Sequence, residues 1–167
     1  GPSQLEPPSG VILKKVETTE EMLDACLEVY PEVQVVIGCA APEDFKPVGF
    51  SGEKIKKQGD LLHLSFAETV DILKTLGESK GSRILVGFAA ETDNVLENAM
   101  AKITKKNLDF ICANQVGLPD RAFGADTNAV TIIMPDGTHL DVGPLSKFEV
   151  AMAIIDQVKT ILDERRN

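Results

Sequence analysis

Val33-Gln34-Val35-Val36-Ile37-Gly38-Cys39-Ala40-Ala41 is the stretch that decides the fold, a short β-branched run ending in small residues. A strand buried on both faces of a parallel sheet shows a near-continuous apolar run of this kind instead of polar alternation. Small residues at its C-terminal end leave room for a ligand, since ligands of open α/β sheets sit outside the carboxyl ends of the strands. Two similar runs follow, Arg83-Ile84-Leu85-Val86-Gly87-Phe88-Ala89-Ala90 and Leu108-Asp109-Phe110-Ile111-Cys112-Ala113-Asn114. Helical patterns at about 69–79 and 92–107 alternate with them. This alternation implies a Rossmann-like, doubly wound α/β fold with a mainly parallel sheet and right-handed crossovers.

Outward from that centre, Gly1 to Gly10 carries three prolines and no apolar period, and reads as a loop or tail. After it, Met22, Leu23, Cys26, Leu27 and Tyr30 share one helical face, with Thr18 or Thr19 as N-cap and Pro31 as terminator. Toward the other end, Val130-Thr131-Ile132-Ile133-Met134, the turn Pro135-Asp136-Gly137 and a short strand near His139–Val142 form a C-terminal β-hairpin. The last helix opens with a capping box, Ser146-Lys147-Phe148-Glu149. Its apolar stripe is Val150, Ala153, Ile154, Val158, Ile161 and Leu162.

The chain has 167 residues, 43% hydrophobic and 26% charged, which suits a single domain spanning 1–167. Its net charge of -9 argues against a nucleic-acid or anionic membrane surface, because phosphate backbones reward clustered positive charge. No apolar run approaches the roughly 20 residues of a membrane span. Cys26, Cys39 and Cys112 have neither CxxC nor Cys/His ligand spacing, so reduced, mostly buried thiols in a cytoplasmic protein are expected. His63 and His139 are isolated and read as structural or solvated.

Three loops after strands are candidates for chemistry. The first runs past Asp44 and Lys46 to Glu53-Lys54-Ile55-Lys56-Lys57, a local cationic cluster in an acidic protein. It is either a solvated surface loop or a set of point charges for phosphate oxygens. The second, Gly87 to Asn94, offers Phe88 as a core residue or as a flank for a base, with Thr92 capping the helix that follows. That helix carries Lys102 and Lys106 one turn apart, placed for one ligand or simply solvated. The third, Asn114 to Asn128, contains Gly124-Ala125-Asp126-Thr127-Asn128, suited to ribose or metal contacts but also to ordinary Asx turns. Walker A, GxGxxG and GxSxG motifs are absent.

Taken in order, Cys39-Ala40-Ala41 with Asp44, Glu53-Lys54-Ile55-Lys56-Lys57, Val86-Gly87-Phe88-Ala89-Ala90-Glu91-Thr92, Asn107 to Asn114 and Phe123 to Asn128 closely resemble bacterial phosphopantothenate-cysteine ligase. That family is the synthetase domain of the bifunctional coenzyme A biosynthesis flavoprotein. The likeness covers nearly the whole chain.

The resemblance implies activation of phosphopantothenate by CTP to an acyl-cytidylate with loss of pyrophosphate, assisted by Mg2+. L-cysteine then displaces CMP. It implies that Gly38, Cys39, Ala40 and Phe88 surround the cytosine, that Asp44 holds the sugar or metal side, and that Lys54 meets the phosphates and is catalytic. Val70-Asp71-Ile72-Leu73 matches the family's Pro-Asp-Ile-Val stretch, and Lys102 with Lys106 its paired helix lysines. A homodimer is implied, with Lys57 to Phe66 as an intersubunit flap, and FMN only where the fused decarboxylase domain is present.

Two departures matter. Ala41-Pro42-Glu43-Asp44 stands where the family usually has Ala-Val-Ala-Asp, which alters the turn presenting Asp44. The family's N-terminal segment, with its phosphopantothenate-binding loops, has no counterpart, so an N-terminally truncated domain that needs its missing segment or a partner is expected. The alternative is a noncatalytic nucleotide-binding or dimerisation fragment of the same fold.

Overall fold

The computed structural model describes residues 6–49, 52–53, 59, 63–91, 93–115 and 127–166. In chain order the elements are α1 (Thr19–Val29), β1 (Val35–Gly38), β2 (Phe45–Pro47), β3 (Phe66–Glu68), α2 (Ile72–Glu78), β4 (Ile84–Glu91), α3 (Val95–Lys106), β5 (Phe110–Gln115), β6 (Thr127–Ile133), β7 (His139–Ser146) and α4 (Lys147–Arg166). Two compact units result, one of Glu32–Ala40 and Leu73–Asn167, the other of Gly1–Pro31 and Ala41–Ile72.

The first unit is built on a five-stranded sheet of order β1-β4-β5-β6-β7. β1 pairs parallel to β4, and β4 parallel to β5. β6 then runs antiparallel to β5, and β7 antiparallel to β6. Four strands therefore point one way and only β6 the other, the mainly parallel sheet with a terminal hairpin expected from the sequence. The hairpin closes through Gly137 N–H donating to Met134 O at 3.0 Å, over the predicted Pro135-Asp136-Gly137 turn.

Alternating strand residues face opposite helical layers, which is what doubly wound means physically. Ile84 and Val86 of β4, Phe110 and Cys112 of β5, and Ile132 of β6 pack with Val150, Ile154, Val158 and Ile161 of α4. The α4 stripe read from the sequence is thus the core stripe. On the other face, Gly38 and Gly87 are partners in the β1–β4 register. A Cβ built on Gly38 would stand 2.8 Å from Leu73 Cδ1, and one on Gly87 2.7 Å from Leu108 Cδ1. The two glycines form a notch that seats leucine side chains.

Asp109 is a polar residue buried in this core, 8% exposed. Its N–H donates to Leu85 O at 2.8 Å, and its Oδ2 accepts from Leu85 N–H at 2.7 Å, extending the β4–β5 ladder by one rung. Lys80 Nζ lies 2.9 Å from Oδ2, and the Arg165 guanidinium binds Oδ1. Arg165 also donates to the carbonyls of Ser82 and Arg83. The end of α4 is thereby latched to the amino edge of the sheet.

Helices α2 and α3 meet at Gly77. A Cβ there would stand 2.1 Å from Lys106 O, a backbone atom that cannot swing away. Asn107, the left-handed C-cap of α3, donates its amide to Gly77 O at 3.1 Å. Gly77→Ala is expected to destabilise the fold by about 3 kcal/mol through overpacking, against the small gain alanine gives an open helix. A urea midpoint equal to wild type would contradict this close approach.

The capping box of α4 forms as read from the sequence: Glu149 N–H donates to Ser146 Oγ at 3.2 Å, and Ser146 N–H to Glu149 Oε2 at 3.0 Å. The Ser146 hydroxyl, then its N–H, holds the Glu149 carboxyl below its ordinary value of 4.5. A depressed carboxyl contributes stability above its unfolded value and loses it as pH falls. Ser146→Ala is expected to lower stability at neutral pH and to cost less in acid, once pH falls through the depressed Glu149 value. Urea melts at the two pH values would check the sign.

The second unit holds α1 and the antiparallel ribbon of β2 and β3. Thr18 caps α1 in a full capping box with Glu21. Of the predicted α1 stripe, Met22, Leu23 and Cys26 are half-buried, Leu27 is exposed, and Tyr30 just past the helix is buried. Lys46 of β2 forms an ion pair with Glu20 of α1. The ribbon is absent from the sequence reading, which had residues 41–57 as loop. Phe45-Lys46-Pro47 is short, and all three residues are exposed, so no alternation marks it.

Candidate functional site

The parallel strands end along one edge, where a ligand of an open α/β sheet binds. In the sheet unit this edge carries Gly38, Cys39 and Ala40 after β1, Phe88 to Ala90 in β4, and Ala113-Asn114 in β5. β6 enters at the same edge with Thr127, paired with Ser146 at the end of β7.

Asn114 is the residue that stands out here. Its Oδ1 is buried and has no hydrogen-bond partner among the described residues. An orphaned amide acceptor of this kind costs about 1–3 kcal/mol in the ligand-free protein, so such an atom is retained for a reason. At a strand end, a ligand N–H or O–H satisfies it. The sequence reading placed Asn114 at the head of a candidate loop but outside the set of binding residues. Its position was legible, whereas its unsatisfied oxygen depends on what packs around it.

Phe88 faces the α4 side, pairs in register with Cys112, and packs half-buried against the core cluster. Both readings of it, core residue and edge of a site, fit this position. Gly38 was read as leaving space for a ligand, but the space over its Cα is filled by Leu73, itself a candidate binding residue. Gly38 and Leu73 are brought together by packing. Cys39 and Ala40 are exposed beyond the strand end.

Lys102 and Lys106 are half-buried one turn apart on α3. The N-cap of α3 is Asn94, in a left-handed conformation, in place of the expected Thr92. A segment two residues shorter at its start accounts for the shift. Thr92, Lys54, Lys56, Lys57 and Phe123 to Asp126 lie outside the described residues.

In the ribbon unit, exposed Asp44 precedes β2, and half-buried Val70, Asp71 and Ile72 follow β3. Thr69 ties the two segments, its N–H donating to Asp44 O at 2.9 Å and its hydroxyl to Glu43 O. Asp44 and Asp71 therefore flank one end of the ribbon, before β2 and after β3.

The cysteines depart from the expectation of mostly buried thiols. Cys112 is buried, Cys26 is half-buried, and Cys39, past the end of β1, is exposed. Burial pushes the Cys112 thiol up to about 12, with Cys39 adding to the shift, so Cys112 stays a neutral core group. His63 and His139 are both exposed, consistent with solvated side chains.

Comparison with known proteins bears on the family of the chain. The family profile described as DNA/pantothenate metabolism flavoprotein C-terminal domain matches residues 1–162. The chain is 41% identical over 162 residues to the coenzyme A biosynthesis bifunctional protein CoaBC of Bacillus subtilis, covering 96% of this chain and 40% of that protein. It is 38% identical over 170 residues to the CoaBC of Escherichia coli, covering 99% of this chain and 41% of that protein. The chain thus spans about two fifths of the curated relatives it matches. A crystal structure of the C-terminal domain of CoaBC superposes with a TM-score of 0.78 at 38% identity, covering 98% of this chain and 72% of that one. Among the described residues no helix is long and apolar enough to cross a membrane.

Proposed function

Because the chain belongs to the DNA/pantothenate metabolism flavoprotein C-terminal domain family, we propose that residues 1–167 form the CTP-binding domain of a phosphopantothenate-cysteine ligase. In this reading a carboxylate oxygen of phosphopantothenate attacks the α-phosphorus of CTP, giving an acyl-cytidylate and releasing pyrophosphate. The amine of L-cysteine then attacks the acyl carbon, an amide forms, and CMP leaves. The relatives named for coenzyme A biosynthesis support the reaction class.

The observation that carries the reading is the orphaned Asn114 Oδ1 at the carboxyl edge of the parallel strands. An acceptor there suits the amino group or ribose hydroxyls of a nucleotide. Phe88 and the Gly38-Cys39-Ala40 turn flank the base, while Lys54, Lys102 and Lys106 serve the phosphates as point charges. Asp44, with Val70 to Leu73, serves the sugar or metal side.

Among the described residues no three His, Cys, Asp or Glu side chains gather as a metal cage. That suits Mg2+, which keeps its waters and binds through one or two carboxylates plus substrate phosphates, with Asp44 as the carboxylate. When bound, the ion would neutralise charge on the triphosphate. FMN would belong to a fused decarboxylase half, and a cytoplasmic enzyme is part of the same proposal.

The test is turnover. With CTP, Mg2+, phosphopantothenate and cysteine, and with the N-terminal segment of the Bacillus subtilis ligase half added in trans, CMP should form in step with the amide. CTP bound but never consumed would leave the noncatalytic nucleotide module as the better reading.

A homodimer belongs to the same proposal. Phe45, Val48, Leu64 and Phe66, on and beside the ribbon, are all more than half exposed, an apolar group that suits burial against a second copy. Light scattering at high protein concentration should report a dimer, and a monomer there would remove this part.

A further inference from the structure

We infer that Thr69 is a positioning residue of the nucleotide site, holding the Asp44 turn in its binding geometry through the Glu43 and Asp44 carbonyls. The inference rests on the proposed function, since it assigns Asp44 to the sugar or metal side of a nucleotide.

Three observations lead to it. Thr69 follows β3 directly and faces the residue before β2, so its N–H to Asp44 O bond of 2.9 Å adds a rung beyond the Phe45↔Glu68 pair. Its hydroxyl donates to Glu43 O, one residue further along the turn. Thr69 is also half-buried, whereas the ribbon residues Phe66, Ala67 and Glu68 before it are exposed. The ribbon is thus fastened most firmly where two candidate binding segments, Asp44 and Val70-Asp71, lie side by side.

The local sequence makes that tie necessary. Residues 39–49 are exposed throughout, so core packing does not fix the turn. Pro42 has no N–H with which to hold it. An exposed turn with a carboxylate at its end loses conformational entropy at each residue when a ligand orders it. A turn already fixed by Thr69 avoids part of that loss at binding. Because the ribbon contributes little to the core, losing the hydroxyl should appear in ligand affinity and scarcely in global stability.

The experiment is titration calorimetry of CTP with Mg2+ into the 167-residue chain, wild type against Thr69→Val, Thr69→Ser, Asp44→Asn and the Asp44→Asn/Thr69→Val double variant. Valine keeps the shape and the N–H but lacks the hydroxyl, so affinity should fall about fivefold, the worth of one hydrogen bond. Serine should restore it, and thermal midpoints should stay within about 1 °C of each other. Since Thr69 acts through Asp44, valine should cost nothing further in the Asp44→Asn background.

Wild-type affinity in Thr69→Val, unchanged affinity in Asp44→Asn, or full additivity in the double variant would overturn the inference while leaving the functional reading intact. Absence of CTP binding by the wild type would overturn the reading, and the inference with it.

Discussion

Asp109→Ala is expected to lower unfolding stability by about 3–5 kcal/mol, the cost of removing one partner from a buried ion pair. The carboxylate is 7% exposed and meets Lys80, only 11% exposed, and Arg165, 39% exposed. Alanine would strand the Lys80 ammonium in low dielectric and leave the Leu85 N–H of a buried strand without its acceptor. Asp109→Asn retains an acceptor for Leu85 while losing the charge, so its loss should be intermediate. Urea denaturation of the three proteins gives the ranking directly. A loss below about 1 kcal/mol for alanine would mean that the latch between α4 and the amino edge of the sheet contributes no more than a surface pair.

Lys54→Ala is expected to reduce CMP release by about 10²–10³-fold, the usual consequence of removing a group that stabilises transition-state charge. Its effect on CTP affinity should be smaller, about tenfold, because the proposed contact is to phosphates already present in the ground state. This split separates a catalytic lysine from one that only attracts an anion, whose loss would weaken affinity and leave turnover at saturating CTP unchanged. The chain bears a net charge of -9, so its overall field does not attract a triphosphate. The cations must act at contact distance. CTP affinity equal to wild type would remove Lys54 from the site.

Much of the architecture was legible because strand and helix periods differ. The runs at Val33–Ala41, Arg83–Ala90 and Leu108–Asn114 were read as buried parallel strands; β4 and β5 are buried, whereas β1, at the edge of the described sheet, is half-buried along its length, and the α4 stripe matched the core residue by residue. The capping box at Ser146 and an N-cap at Thr18 or Thr19 were readable because caps are local, a few residues closing on themselves; the full box at Thr18 was not read. What escaped depends on partners far along the chain. Asp109 sits inside an apolar run, and its partners Lys80 and Arg165 lie 29 residues before it and 56 after it, so no spacing betrays the cluster.

The candidate site divides the same way. Gly38 was marked by its smallness, but the same smallness serves packing, since Leu73 fills the notch it shares with Gly87. Thr69 carried no motif at all, and its role emerges only when β2 and β3 pair. Asn114 was visible as a polar residue at a strand end, but its burial without a partner is a property of the assembled sheet.

The most direct test of the central claim, a nucleotide site at the carboxyl edge of the parallel strands, is calorimetric titration of CTP with Mg2+ into wild type and Asn114→Ala. The account predicts saturable binding by wild type and affinity about tenfold weaker in the variant. Identical affinities in the two proteins, or no saturable binding by wild type, would contradict it.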